Sequence, residues 1–177
     1  MFLLLYATQE DNPKTLYNTG VECLKQNNFT EAFSYFQQAA KLNFMPAKVN
    51  LGLMHYRGDG VQKNLKTAET LFRDATRSGI KEAQYFLATM YLKGEIRTND
   101  NPLVQARNLY LASATQDYLP AQFNLAMMLY CGKGGEQDSI SAVHWFVAAS
   151  TQGYQPAKDI LRKLADAKKN DYLNIRN

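Results

Sequence analysis

Cysteine, histidine and tryptophan are scarce in this chain: 177 residues hold two cysteines, two histidines and one tryptophan. Cys23 and Cys131 stand 108 positions apart. That separation excludes a disulfide framework and the closely spaced ligands of a zinc site. The two read as partly buried thiols and leave the redox compartment open. His55 and His144 are too far apart to form a zinc or triad set, and His144 has no partner at i+4 fit to bind a metal. No pair of carboxylates stands out for acid–base work, so no cofactor is expected and the chain reads as a non-enzyme. Five prolines and ten glycines are too few for a disordered or collagen-like chain. No apolar run is long enough to span a bilayer. Positive charge is not concentrated either. The net charge is +4 with a pI of about 9.0, but the lysines and arginines are scattered, which argues against the basic stripe of a nucleic-acid binder.

What is present suits a soluble domain that can bury a core, with 46% hydrophobic and 20% charged residues. The first ten residues, "MFLLLYATQE", carry a short apolar run from Phe2 to Ala7. One reading is the tail of a secretory signal cut near Ala7, which would make the protein periplasmic or secreted. The other is an apolar segment packed on the first helix of a cytoplasmic protein. Residues 1–12 are therefore set apart from the rest.

A phrase recurs beyond them. "AKVNLGLMHYRGDGV" at 47, "AQYFLATMYLKGEI" at 83, "AQFNLAMMLYCGKGG" at 121 and "AKDILRKLADAKKN" at 157 begin 36, 38 and 36 residues apart. A second phrase alternates with it: Ala32/Phe36, Ala68/Phe72, Ala106/Tyr110 and Ala142/Phe146. A small residue returns seven after each alanine, at Ala39, Ala75, Ser113 and Ala149. Offsets of four and seven lie on one helical face. Each unit is therefore helix A, turn, helix B, and neither helix can bury its apolar face without its neighbours. The glycines punctuate: Gly58 sits where helix A ends, Gly60 continues the turn, and Val61 returns to the core. Asn64, Asp138 and Asn101-Pro102 stand at N-cap positions of B helices. "CGKGGEQDS" at 131–139 tempts one toward a phosphate loop, but no strand precedes it and no Ser or Thr follows its lysine.

These residues resemble the Sel1-like repeat family. The resemblance rests on L-G-x-M-H-Y-R-G-D-G-V with Ala68, Phe72 and Ser78-Gly79, and on "PAQFNLAMMLY", "GKGG" and "AVHWFVAASTQGY" at 120–155. The unit at 81–119 departs from the pattern. Glu95-Ile96 replaces Gly-Val, and "RTNDNP" lengthens the turn into a loop expected to protrude. Residues 16–43, with the short turn Gln26-Asn27-Asn28-Phe29, resemble the related tetratricopeptide repeat. The resemblance implies an all-α, right-handed α-solenoid. It comprises one domain over 13–177, with units 13–45, 46–80, 81–119 and 120–155 and a capping helix over 156–177.

It also implies a scaffold or adaptor that holds a protein or peptide in a groove lined by the A helices. In bacteria such proteins act in envelope assembly, signalling or contact with host cells. Asn18, Asn50, Phe86 and Asn124 share one A-helix register, and Tyr17, Val49, Tyr85 and Phe123 share the next. In tetratricopeptide proteins these positions face the groove. Asparagine amides can donate to and accept from a peptide backbone, and the aromatics supply contact area. Some of these side chains are expected to pack against the adjacent helix instead. Lys25, Arg57 and Lys93 form a further column that Cys131 interrupts. It reads either as a basic strip gripping an acidic tail or as cations that simply favour helix C-termini. His55 shares its register with Tyr91 and Leu129 and reads as a packing residue. The competing function is an envelope enzyme of the β-lactam or peptidoglycan type, but its relatives are cysteine-rich in every repeat and this chain is not. Self-association through the solenoid ends is a third possibility.

Overall fold

Helix starts in this chain are set by side chains that satisfy the orphan N–H groups of a first turn. In a computed structural model, Asn12 accepts from Lys14 N (2.9 Å), Asn64 from Thr67 N (3.0 Å), Asn101 from Leu103 N (2.9 Å) and Asp138 from Ser141 N (2.9 Å). The structure describes residues 12–175, with side chains to Ala167. The N-terminal segment, and with it the signal reading, lies outside the described residues. These form nine helices and no strand: α1 (Pro13–Lys25), α2 (Phe29–Lys41), α3 (Met45–Arg57), α4 (Leu65–Arg77), α5 (Lys81–Leu92), α6 (Pro102–Ala114), α7 (Leu119–Tyr130), α8 (Ser139–Thr151) and α9 (Gln155–Ile175). No described helix is long and apolar enough to cross a membrane.

The chain divides into two compact units, Met1–Met90 and Tyr91–Asn177. In the first, α1 packs on α2, α2 on α3 and α3 on α4. The aromatic of each B helix is its centre, and Phe36 and Phe72 are fully buried. Burying one such ring stabilises by about 1.5–3 kcal/mol. The small residue opposite is required by contact. A Cβ on Gly20 would lie 2.7 Å from Phe36 Cε1, and one on Gly52 2.6 Å from Phe72 Cε1. Helix A therefore offers bare backbone to the ring, and the alanines Ala32, Ala39, Ala68 and Ala75, all fully buried, bring the helices close. In the second unit α6 packs on α7, α7 on α8 and α8 on α9. Tyr110, Phe146, Ala106, Ala126, Ala142 and Ala149 are fully buried there.

The turns explain the double glycine. Gly58 closes α3 in the left-handed conformation, with φ 90°. Gly60, at φ 69°, lies against the start of α2, where a Cβ would come within 2.6 Å of the Phe29 carbonyl carbon. Val61 is half-buried against the core of its unit. Every B-to-A turn also has a left-handed residue at one register. These are Asn43 (φ 58°), Gly79 (φ 78°), Asp117 (φ 58°) and Gly153 (φ 88°). Asparagine and aspartate tolerate that region best after glycine, so the turn survives where glycine is missing. In the divergent turn of the third repeat, Ile96 is buried, while Arg97, Asn99, Asp100 and Asn101 are exposed.

Candidate functional site

The asparagine column keeps its amides unspent. Asn18 on α1 is exposed, and Asn50 on α3 and Asn124 on α7 are half-buried. None of the three side chains hydrogen-bonds to another described residue. The fourth member of the register, Phe86 on α5, is half-buried and stacks on Phe72 at 5.4 Å between ring centroids. The neighbouring register is largely engaged in packing. Tyr17 lies 5.7 Å from Phe36 and 5.3 Å from Phe44. Tyr85 meets Phe86 edge-on at 5.1 Å. Phe123 meets Phe146 at 5.8 Å and Tyr154 at 5.0 Å. Val49 is buried. Tyr17, Tyr85 and Phe123 are each half-buried, so these rings are rigidly seated and still reach the surface.

The basic column lies at helix ends. Lys25 and Arg57 are exposed in the last turns of α1 and α3, where a cation complements the helix dipole. Lys25 is paired with Glu22 at 2.7 Å. Lys93, also exposed, follows α5 in the second unit. Cys131, at the same register, is exposed rather than partly buried, because this position begins the turn beyond the apolar stripe of α7. Cys23 is buried, and burial together with the nearby Glu31 carboxylate pushes its thiol pKa up, so it is a poor nucleophile.

His55 is a packing residue: its ring meets Phe33 edge-on at 5.5 Å, and its Nδ1 is buried with no hydrogen-bond partner. His144 is exposed on α8, its ring 5.4 Å from that of Trp145. Among the described residues no three His, Cys, Asp or Glu side chains cluster as metal ligands would.

One set of polar residues is absent from the sequence-derived site. Each repeated phrase carries a lysine or glutamine directly after its alanine: Lys48, Gln84, Gln122 and Lys158. Lys48 forms an ion pair with Asp74 on α4. Gln122, only 2% exposed, accepts from the Gln152 amide at 2.8 Å. These contacts tie helix A to the end of helix B within a repeat. The signal was in the phrase itself, but a polar residue beside an alanine reads as surface until the packing is known.

Paired helices with alternating small and aromatic positions define the class: a helix-turn-helix repeat protein. The Sel1 repeat profile matches residues 15–44, 46–79, 81–118 and 119–154, and the chain belongs to the Sel1 repeat family. The first repeat, which resembles a tetratricopeptide unit, is matched by the same profile as the others. The chain is 30% identical to the exopolysaccharide production negative regulator of Rhizobium meliloti, over 87% of this chain and 62% of that protein. It is 27% identical to the DAP3-binding cell death enhancer 1 of Mus musculus, over 82% of this chain and 35% of that protein. It thus spans less than two thirds of either relative. Among solved structures, a Sel1 repeat protein from Oxalobacter formigenes superposes with a TM-score of 0.78 at 25% identity, over 86% of this chain and 63% of the other. The fold class is the all-α solenoid of that family, whose repeats serve protein–protein interaction.

Proposed function

We propose that this chain is a non-enzymatic adaptor that captures a protein partner, as an extended peptide or a helix, on the exposed faces of its A helices. The observation that carries the reading is the asparagine column. Asn18, Asn50 and Asn124 recur at one register with unspent amides, beside rings already seated in the core. An amide that is free before binding can pair with a peptide backbone at little cost, since no internal bond has to break. Seated rings lose little entropy on contact. In the first unit the surface comprises Tyr17, Asn18, Asn50, Tyr85 and Phe86, with Lys25 and Arg57 at its edge. In the second it comprises Phe123 and Asn124, with Lys93. Arg57 is the strongest candidate to meet a partner carboxylate, because Lys25 is already paired with Glu22. A relative whose name records binding to another protein fits this reading.

The test is a pulldown with the intact chain beside a variant carrying Asn18→Ala, Asn50→Ala and Asn124→Ala, bound proteins being identified by mass and folding checked by circular dichroism. A partner retained by the first and lost by the folded variant supports the A-helix surface. Partners retained equally by both would refute it.

A further inference from the structure

The B helices of the two units present different outer surfaces. Counted from the buried alanine of each B helix, the residues two before and five after lie two turns apart on one stripe. In the first unit these are Thr30 and Gln37 on α2, and Lys66 and Arg73 on α4. In the second they are Val104 and Leu111 on α6, and Ile140 and Val147 on α8. All four residues of the second unit are exposed, Ile140 to 87%. Val143 and Tyr130 extend the patch. A cleft of about 600 Å³ borders it, lined by Tyr130, Ile140, Val143, Leu161 and Leu164 among others.

Charge is nearly absent from the α6 and α8 stripes, and the exposed charges beside the cleft, Arg162, Lys163 and Asp166, belong to α9. Helices α7 and α8 contain no Asp, Glu, Lys or Arg, and α6 contains only Arg107. That guanidinium is occupied, donating to the Glu136 carbonyl at 3.1 Å. The polar groups at the far end of α8 are satisfied internally, with the Ser150 and Thr151 hydroxyls donating to the Val147 and Ala148 carbonyls at 2.8 Å each. Drying the α8 stripe therefore strands neither of these hydroxyls.

We propose that this face of the second unit binds a second copy of the chain across a two-fold axis. Area argues for it. The six exposed residues present roughly 450–500 Å² of mostly apolar surface, in the upper part of the range of the largest patch a monomer leaves bare. A two-fold pairing of this patch would bury about 1,000 Å² in total, the lower end for a specific interface, which fits a dimer that forms as concentration rises. Charge argues for it too. A two-fold contact sets a surface against its own image, which a charged face resists and an uncharged one does not. The cleft supplies the complementary shape. Its volume is roughly four times that of a cavity that holds benzene, which is room for the second copy's Ile140 and its neighbours. The contact uses the outer face of the second unit together with the α9 wall of the cleft.

The experiment is light scattering of the full chain across a range of concentrations. The expected mass rises from 20.1 kDa toward twice that value. The double variant Ile140→Lys, Val147→Arg gives the second unit the residue types that Lys66 and Arg73 provide in the first. It should stay at 20.1 kDa with an unchanged circular dichroism spectrum. If that variant does not fold, Val104→Lys with Leu111→Arg provides the same test on α6. The control Thr30→Lys, Gln37→Arg should still dimerise, as should the triple asparagine variant, so failure of the A-helix surface and failure of this one are separable. A wild-type mass fixed at 20.1 kDa at every concentration, or a dimer that survives the folded α8 and α6 variants, would overturn the proposal.

Discussion

Gly52 and Phe72 show how closely single residues are matched in this chain. The phenyl ring lies where a Cβ on residue 52 would go, at 2.6 Å. Alanine normally gains about 0.5–1 kcal/mol over glycine inside a helix. Here the ring has to move, and overpacking costs about 1–3 kcal/mol. Gly52→Ala is therefore expected to be destabilising by about 1–2 kcal/mol in urea unfolding. Phe72→Leu in the same chain should recover part of the loss through coupling between the two sites. A more stable Gly52→Ala protein would show that the contact does not matter. The same residue-level logic separates the two asparagine roles. Asn64 and Asn101 spend their side chains on backbone N–H groups, whereas Asn18, Asn50 and Asn124 do not and remain available to a partner.

Among the elements, the start of α8 carries a pH signature. Hydrogen bonds from Ser141, hydroxyl and N–H, hold the Asp138 carboxyl below the usual carboxylate range. Its folded pKa is thus lower than its unfolded one. The stabilisation is present above the ordinary carboxylate pKa and is lost as pH falls through the depressed folded value. Asparagine caps as well as aspartate but does not titrate. Asp138→Asn is thus expected to leave the urea midpoint near neutral pH almost unchanged and to flatten its decline as pH falls through and below the ordinary carboxylate range. An identical acid-side decline in both proteins would mean that this cap contributes nothing to acid sensitivity. Helices α2, α3 and α7 have no side-chain cap bond, so their positions depend on packing and on the preceding turn.

At the scale of the whole molecule, each unit has its own buried aromatics and alanines. Stability in a repeat protein is close to a sum over repeats and their nearest-neighbour interfaces. Phe146→Leu, which leaves a cavity in the second unit, should cost about 1–3 kcal/mol. In hydrogen exchange, protection should fall in α7, α8 and α9 while α1 to α3 keep wild-type rates. A uniform loss across all nine helices would mean that the units unfold as one. The two proposed contacts are likewise assigned to different surfaces, the A-helix face for a partner and the outer B-helix face of the second unit for a second copy.

The repeat, the helix order, the cap residues and the buried alanine–aromatic pairs were legible in the sequence by itself. They rest on local rules: a period of 3.6 residues, a side chain that reaches its own backbone, and a glycine at a helix end. Asn43 and Asp117 as left-handed turn residues follow from the same rules once they are set beside Gly79 and Gly153. Tertiary structure decided what depends on neighbours distant in sequence. It committed Phe86, Tyr17 and Phe123 to packing while leaving them at the surface. It buried Gln122 against Gln152, exposed Cys131 and left Ile140 bare. Helical period assigns a residue to a face, but only the arrival of a second helix determines whether that face is covered.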